Sequence, residues 1–246
     1  MKHLFFLSLF IFSVSLSAQD GFVRTNCGNL KLLINSNVHK TVNFLSENNY
    51  KKIINDSIQK KRILFKNIKE NTDLRREFQK KFPEKLTRHC INSNYFKDDS
   101  IKYYSYCDSA TTMILTAKEF NFYIFKVNAF EVSSYLLFNT RDQIIYSTHN
   151  YPLIFDKGRT VFDIGYVYAG FKTAKYYRFN RKNTEYFDFS IPPQYSFKDF
   201  KIIDDKKRKK IAVDLISYQL KKGKPGSKYD YEYDKDDYCR KFLLIE

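Results

Sequence analysis

Three histidines outside the N-terminal apolar segment are the side chains best suited to act as catalytic bases: His39, His89 and His149. Nucleophilic catalysis needs such a base beside a nucleophile. His39 falls on the polar side of a helical pattern, His89 directly precedes Cys90, and His149 falls in a predicted turn. Because no motif sets any of them against a nucleophile, we interpret each as a surface residue and expect no single histidine to be essential.

Carboxylates could instead supply a general acid and a general base, which need no fixed spacing in sequence. The candidates are Glu185, Asp188 and Asp163. The chain has no G-x-S-x-G elbow, no H-E-x-x-H motif and, with 7 glycines, no phosphate or dinucleotide loop. The sequence therefore favours a protein that is not an enzyme and uses no cofactor. A hydrolase that uses an Asp/Glu pair is the alternative.

An acidic run near residue 230 resembles a calcium loop only in part. Its members are Asp230, Glu232, Asp234, Asp236 and Asp237. An EF-hand loop has a glycine at its sixth position and a glutamate at its twelfth, but Lys235 and Lys241 occupy those positions here. We therefore predict a polar loop over residues 220–237 and no metal ligands.

The chain is strongly basic, with a formal charge of +16 and 32 lysines against 11 arginines. Such a field attracts polyanions. The densest basic segment consists of Lys206, Lys207, Arg208, Lys209 and Lys210. It follows two aspartates where a turn would link two strands, so the simplest interpretation is a solvated hairpin tip. Binding of an acidic protein or a polyanionic polymer by these five residues is the sharper hypothesis. AT-rich codons also produce lysine-rich sequence, which accounts for the charge without a binding role.

Four cysteines are candidates for disulfide formation: Cys27, Cys90, Cys107 and Cys239. An even number in an oxidising compartment predicts two disulfides, for which three pairings are possible. We favour Cys27–Cys90 with Cys107–Cys239, because the first would join the two ends of a helical segment. The chain has no C-x-x-C motif, which disfavours a zinc site and thioredoxin-like redox chemistry.

Residues 1–18 have the features of a secretory signal peptide. Lys2 precedes an apolar run of 13 residues, Leu4–Leu16, and the run ends in small residues up to Ala18. A membrane-spanning helix needs roughly 20 apolar residues, so this segment is too short to be an anchor. We expect cleavage after Ala18 and export to the periplasm or beyond the cell.

Residues 19–98 are predicted to form a helical segment, because apolar residues recur at helical spacing. The first stripe consists of Leu30, Ile34, Val38, Val42 and Leu45. The second consists of Tyr50, Ile53, Ile54, Ile58, Phe65 and Ile68. A third, Leu74, Phe78 and Phe82, begins after a capping site at Asn71 and ends at Pro83.

Residues 99–246 are predicted to form an antiparallel β domain, because β-branched and aromatic residues alternate between short turns. The predicted strands cover 101–107, 111–117, 121–130, 133–139, 143–147, 152–155, 159–168, 174–180, 184–189, 200–204, 210–219 and 238–245. Residues 156–158 have the composition of a tight turn. The fold class predicted from these two segments is α+β.

A faint repeat relates two stretches of the β region at an offset of 41 residues. Tyr135–Asn139 matches Tyr176–Asn180, and Pro152 matches Pro193. A repeat of this length equals one four-stranded propeller blade, although shared aromatic-rich composition also accounts for the match. The sequence as a whole predicts an exported, non-enzymatic protein with a basic surface that binds a macromolecule.

Overall fold

The computed structural model describes residues 30, 32–37, 41–55, 68–87, 90–97, 99–107, 111–129, 132–166, 172–181, 183–192, 195–205, 208–222 and 231–246. These residues belong to two compact units. The smaller contains Ile216–Arg240, and the larger contains Leu30–Leu215 with Lys241–Glu246. The predicted signal peptide, residues 1–18, lies outside the described residues.

Strands make up most of the described chain. In order, the elements are β1 (Leu33–Ser36), β2 (Val42–Leu45), α1 (Glu47–Asn55), α2 (Thr72–Lys81), β3 (Cys90–Lys97), β4 (Ser100–Cys107), β5 (Thr111–Glu119), β6 (Phe122–Ala129), β7 (Val132–Asn139), β8 (Ile144–Thr148), β9 (Leu153–Phe155), β10 (Thr160–Tyr166), β11 (Lys172–Phe179), β12 (Thr184–Ile191), β13 (Ser196–Asp205), β14 (Arg208–Lys222) and β15 (Tyr231–Ile245).

The strands form three sheets, which we name A, B and C. Sheet A has the order β1-β12-β11-β10-β9, sheet B has β13-β14-β15-β2, and sheet C has β4-β3-β8-β7-β6-β5. The fold is therefore mostly β, and the predicted α+β class with a helical segment over 19–98 is wrong. The antiparallel expectation holds for every strand pair with a described register except β3–β8, which is parallel.

The first apolar stripe forms two short strands, not a helix. Leu33–Ser36 pairs with β12, and Val42–Leu45 pairs with β15; Val38 lies outside the described residues. Both strands occupy sheet edges. The edge of a sheet offers a row of unpaired backbone groups to any nearby segment. Pairing with β12 and β15 outweighs the local spacing of four residues, which by itself predicts a helix.

The third stripe forms a helix, as predicted, and the second does so only in part, because Tyr50, Ile53 and Ile54 lie in α1 whereas Ile68 lies in no helix. In α1, Tyr50 is buried. In α2, the predicted cap is confirmed: the Asn71 side chain accepts a hydrogen bond of 3.0 Å from the Leu74 amide. This bond satisfies one of the amides that a helix start leaves without a partner. Residues 56–67, with Ile58 and Phe65, lie outside the described chain.

The core of the larger unit consists of stacked layers. Aromatic residues Phe96 and Tyr146 of sheet C pack against Tyr177 and Tyr186 of sheet A. The opposite face of sheet A packs against sheet B through a second apolar cluster that includes Phe187 and Val213, among others. Helix α2 covers the outer face of sheet C, and α1 covers the outer face of sheet B. Sheet A therefore lies between the other two sheets.

The twelve predicted strand positions are confirmed as β4–β15, whereas β1, β2 and β3 were not predicted. The two repeated stretches occupy equivalent positions. Tyr135–Asn139 ends β7 and Tyr176–Asn180 spans the end of β11, and each of these strands is third in a run of four neighbouring antiparallel strands, β5–β8 and β9–β12.

The predicted tight turn joins β9 to β10. Asp156, Lys157 and Gly158 all have positive φ, of 51°, 55° and 82°. A Cβ atom on Gly158 would lie 1.8 Å from Oδ1 of Asn121, so glycine is required there both for its backbone angles and for its size. Within the described residues, no helix has the length and apolar character needed to cross a membrane.

Candidate functional site

The disulfide Cys90–Cys107 joins β3 to β4, where the two residues lie directly opposite each other. The favoured pairing, Cys27–Cys90 with Cys107–Cys239, is therefore wrong. Strand register brings together two cysteines that are 17 residues apart, and register cannot be read from cysteine positions alone. Cys239 is also disulfide-bonded, and Cys27 lies outside the described residues.

The backbone around this disulfide shows which groups of β4 face away from β3. The amide and carbonyl of Cys90 both bond to Thr87, on the side away from β4. The Cα atoms of Cys90 and Cys107 are 4.0 Å apart, close to the spacing of a non-hydrogen-bonded pair. Because this pattern alternates along antiparallel strands, the amides and carbonyls of Ile101, Tyr103 and Ser105 point away from β3, to the side where no described strand pairs with β4.

Strand β4 is the terminal strand of sheet C and is exposed along most of its length. Ile101, Tyr103 and Tyr104 expose 55%, 69% and 47% of their surface. On the face that carries Tyr104, its ring lies 4.4 Å from that of Tyr106, and both rings contact Tyr95 of β3. We call Ser100–Cys107, with its outward backbone groups, the β4 edge.

A second cluster of polar groups crosses sheet A. In register, Asp163 of β10 lies opposite Lys175 of β11, which lies opposite Asp188 of β12, which lies opposite Asn35 of β1. Directly opposed residues point to the same face, so these four form one line. Alternation along the strands places them on the face that carries Tyr177 and packs on sheet C. We call the four residues the charged row.

The carboxylate of Asp163 bonds to the loop that joins β8 of sheet C to β9 of sheet A. The residue is 2% exposed, and its carboxylate accepts hydrogen bonds of 2.6 and 3.1 Å from the amides of His149 and Asn150. Asn150 also donates from its side chain to the carbonyl of Ile164. A buried carboxylate needs such donors to offset the loss of hydration, so one end of the charged row is fixed to this loop.

His149 is half-buried above the row and not on the open surface. Burial and the nearby Lys175 ammonium lower the pKa of its imidazole to about 4, so the ring is neutral at pH 7. Next to Lys175 on the same face of β11, Thr173 is 6% exposed, and its Oγ1 has no hydrogen-bond partner in the described chain.

The other candidate carboxylates also make contacts. Asp188 accepts a hydrogen bond of 3.0 Å from the Tyr186 hydroxyl. Glu185 accepts one of 2.8 Å from the Asn180 side chain and lies 3.9 Å from the Arg178 guanidinium. The structure thus brings Asp163 and Asp188 to either side of Lys175 and leaves Glu185 elsewhere. A hydrolytic role for any of the three stays a prediction.

The basic run begins β14. Lys206 and Lys207 lie outside the described residues, and Arg208, Lys209 and Lys210 are the first residues of the strand. The ammonium of Lys210 is 3.2 Å from the Glu246 carboxylate. Polyanion binding by this segment stays a prediction, and one of its five cations already has an acidic neighbour.

The acidic run lies in a strand and not in a loop. β15 begins at Tyr231, so the predicted loop over 220–237 is wrong for most of its length, and Asp230 is outside the described residues. The amide of Asp236 donates to the Asp234 carboxylate over 3.1 Å. Among the described residues, no group of three or more His, Cys, Asp or Glu side chains could hold a metal ion.

His39 and His89 lie outside the described chain, so their predicted surface roles stay predictions. Sequence reasoning missed Lys175, Thr173 and Asn35, because nothing marks them until the strands are in register. It also missed the β4 edge, although two adjacent tyrosines in a strand expose one ring on each face.

The sequence and the structure match no protein-family model, no curated protein and no solved structure.

Proposed function

We propose that the protein is an exported, non-enzymatic binding protein that takes up an extended polypeptide segment as an added strand along the β4 edge. The observation that supports this proposal is the set of outward backbone groups at Ile101, Tyr103 and Ser105, on a strand whose side chains are exposed on both faces. Adding a strand to such an edge is an established mode of peptide recognition.

The chemistry of the edge selects a polypeptide. Outward amides and carbonyls recur every second residue, at roughly 7 Å along a strand, and another strand supplies donors and acceptors at the same spacing. Alternate side chains of the peptide would meet Tyr103 and Ile101 on one face and Tyr104 on the other. A second copy of this chain is disfavoured as the partner, because each copy has a formal charge of +16. That charge favours a peptide rich in Asp or Glu.

Export is the second part of the proposal. The features of residues 1–18 support it, and so does the Cys90–Cys107 disulfide, because such bonds persist in oxidising compartments. N-terminal sequencing of the protein from the exported fraction should begin near Gln19. An intact Met1 on cytoplasmic protein would contradict export and leave the strand-addition test untouched.

Peptides selected on the purified protein from a display library test strand addition. In the complex, hydrogen exchange should slow at the amides of Tyr103 and Ser105. Tyr103→Pro removes an outward N–H without breaking the β3–β4 ladder, because proline is tolerated at such edge positions. It should weaken binding at least tenfold, since a net backbone hydrogen bond contributes about 1 kcal/mol and the ring also blocks the edge.

Tyr103→Thr is the matched control: it removes the same tyrosine ring but keeps the amide, so it should retain most of the affinity that proline removes. Sedimentation should show the free protein as a monomer. Equal binding by the proline and threonine variants, protection confined to other strands, or a dimer formed through β4 would each contradict the proposal.

A further inference from the structure

We propose that the β4 edge selects a peptide in which an acidic residue lies opposite Lys102 and is flanked on both sides by apolar residues. This inference rests on the proposed function, because it specifies which added strand the edge prefers. It comes from the unequal distribution of charge between the two faces of β3 and β4, and not from the net charge of the chain.

The face of these strands that carries Tyr104 is basic. Lys102 lies two positions before Tyr104 on β4, so both belong to this face. Lys97 of β3 lies opposite Ser100 and therefore belongs to it as well. Both lysines are exposed, and within the described chain neither forms an ion pair within 4.0 Å. The sequences of β3 and β4 contain no acidic residue.

The described acidic residue that comes between the two strands is engaged with sheet A. Asp99, in the β3–β4 turn, accepts a hydrogen bond of 2.6 Å from the Asn37 side chain. The same Asn37 amide donates to the carbonyl of Thr184, over 2.9 Å, at the start of β12. An acidic side chain on an added strand would therefore give Lys102 an opposite charge that the described chain does not bring into contact with it.

The other face of β3 and β4 has no charged side chain. Ile101 and Tyr103, which expose 55% and 69% of their surface, lie opposite Phe96 and Asn94 on this face. An acidic residue placed here would lose hydration against the Tyr103 ring without gaining a cation. An apolar residue would instead remove its own surface and that of the ring from water.

The pairing geometry places the acidic residue opposite Lys102. Because Ile101 and Tyr103 carry the outward backbone groups, they would form the hydrogen-bonded pairs with an added antiparallel strand. Lys102 and Tyr104 would form the non-hydrogen-bonded pairs, whose Cα atoms are only about 4.5 Å apart. Neighbours of the acidic residue in the peptide face the other way, towards Ile101 and Tyr103, and are therefore apolar. A directly opposed ion pair raises affinity by up to about fivefold.

The test uses the full mature chain and a blocked synthetic peptide, Ser-Thr-Val-Tyr-Glu-Val-Thr-Ser, with its Glu→Gln form. The glutamate peptide should bind wild type about threefold more tightly than the glutamine peptide. Lys102→Met should remove this preference by weakening the glutamate peptide alone. Lys102→Glu should weaken the glutamate peptide about tenfold, because like charges then face each other, and a peptide with lysine at that position should recover the loss.

Lys157→Met is the matched control, because it removes the same charge from an exposed position in the β9–β10 turn. That turn lies beside the β5–β6 turn, since Gly158 approaches Asn121, and β5 is at the opposite edge of sheet C from β4. The preference for glutamate should be unchanged in this variant. Thermal unfolding verifies that each variant is folded, and the comparison of the two peptides on wild type stands alone if a Lys102 variant is not.

Failure of this inference and failure of the proposed function give different results. If both peptides bind wild type equally and Tyr103→Pro weakens both, strand addition holds and selection of the acidic residue is wrong. The same follows if display-selected peptides bind at the edge but the glutamate peptide does not. Loss of the preference in Lys157→Met would reduce it to net charge and overturn the inference. Equal binding by Tyr103→Pro and Tyr103→Thr would overturn both proposals.

Discussion

The helix-covered face of sheet C and the charged row of sheet A solve the problem of burial in opposite ways. On sheet C, Phe78 of α2 is fully buried and its ring lies 4.8–5.4 Å from those of Tyr123, Phe125 and Phe138. On sheet A, the buried Asp163 is held by backbone amides. The first region is stabilised by removing apolar surface from water. The second depends on specific hydrogen bonds, and removing one partner is costly because the other partner stays buried without a hydrogen bond.

The largest effect is expected on the apolar side of this comparison. Phe78→Ala should lower the free energy of unfolding by about 3–5 kcal/mol, because it leaves a cavity among three facing rings. Chemical denaturation of the oxidised protein measures it. Phe120→Ala is the control, since Phe120 is 55% exposed and should change stability by under about 0.5 kcal/mol. Similar losses in the two variants would contradict the packing described for α2.

On the polar side, Asp163→Ala should cost about 3 kcal/mol, because two backbone amides lose a buried, charged acceptor. Asp163→Asn should cost less, since one oxygen can still accept. Both are measured by the same denaturation experiment. The control is Asp199→Ala at an exposed position. A cost below that of the control would mean that Asp163 does not hold the loop at His149 and Asn150.

The third prediction concerns pH. The pKa of His149 falls from 6.5 to about 4 in the folded protein, chiefly through burial. Between these values the unfolded chain binds a proton that the folded chain does not, so stability should fall as pH is lowered from 6.5 to 4. The expected loss is at most about 3 kcal/mol.

Denaturation curves at pH 7, 5.5 and 4.5 measure the loss, and the wild-type curve minus that of His149→Gln isolates the contribution of this residue. If the substitution leaves the pH dependence unchanged, His149 does not titrate as its burial and Lys175 require.

The smallest effect is expected at Glu77, on the solvent side of α2. Hydrogen bonds from Lys118, Lys81 and Tyr123 lower its pKa to about 2. Its contribution is therefore present above pH 4.5 and lost as pH falls towards 2, a window below that of His149. Because its side chain is 38% exposed, solvent screens the interactions, and Glu77→Gln should cost under about 1 kcal/mol at pH 7.

Glu47→Gln, which removes the exposed ion pair between Glu47 and Lys51, is the comparison for Glu77→Gln. The network at Glu77 should make its loss the larger of the two in parallel denaturation curves. Equal costs would show that the cross-element contact to Lys118 adds nothing to a simple surface pair.

The two regions also differ in how far sequence could predict them. The α2 contacts follow from local signals: apolar residues at helical spacing, with Asn71 as the cap and Pro83 as the stop. The charged row has no local signal, because Asp163, Lys175 and Asp188 come from three strands and meet only through register. The same limit explains the cysteine pairing. It also explains β1 and β2, whose apolar spacing fits a helix until a sheet edge is available.

The pairing of β2 with β15 has a consequence for the order in which a newly made chain can fold. Leu45 can pair with Phe242 only after that residue, about 200 positions later, has been synthesised, so the loop to be closed is long. Sheet C, in contrast, is contiguous from Cys90 to Thr148. The ring of Tyr50 in α1 packs 4.7 Å from that of Phe242. The apolar side of α1 therefore stays incompletely covered during synthesis until β15 emerges, and during that interval the nascent chain is most open to aggregation.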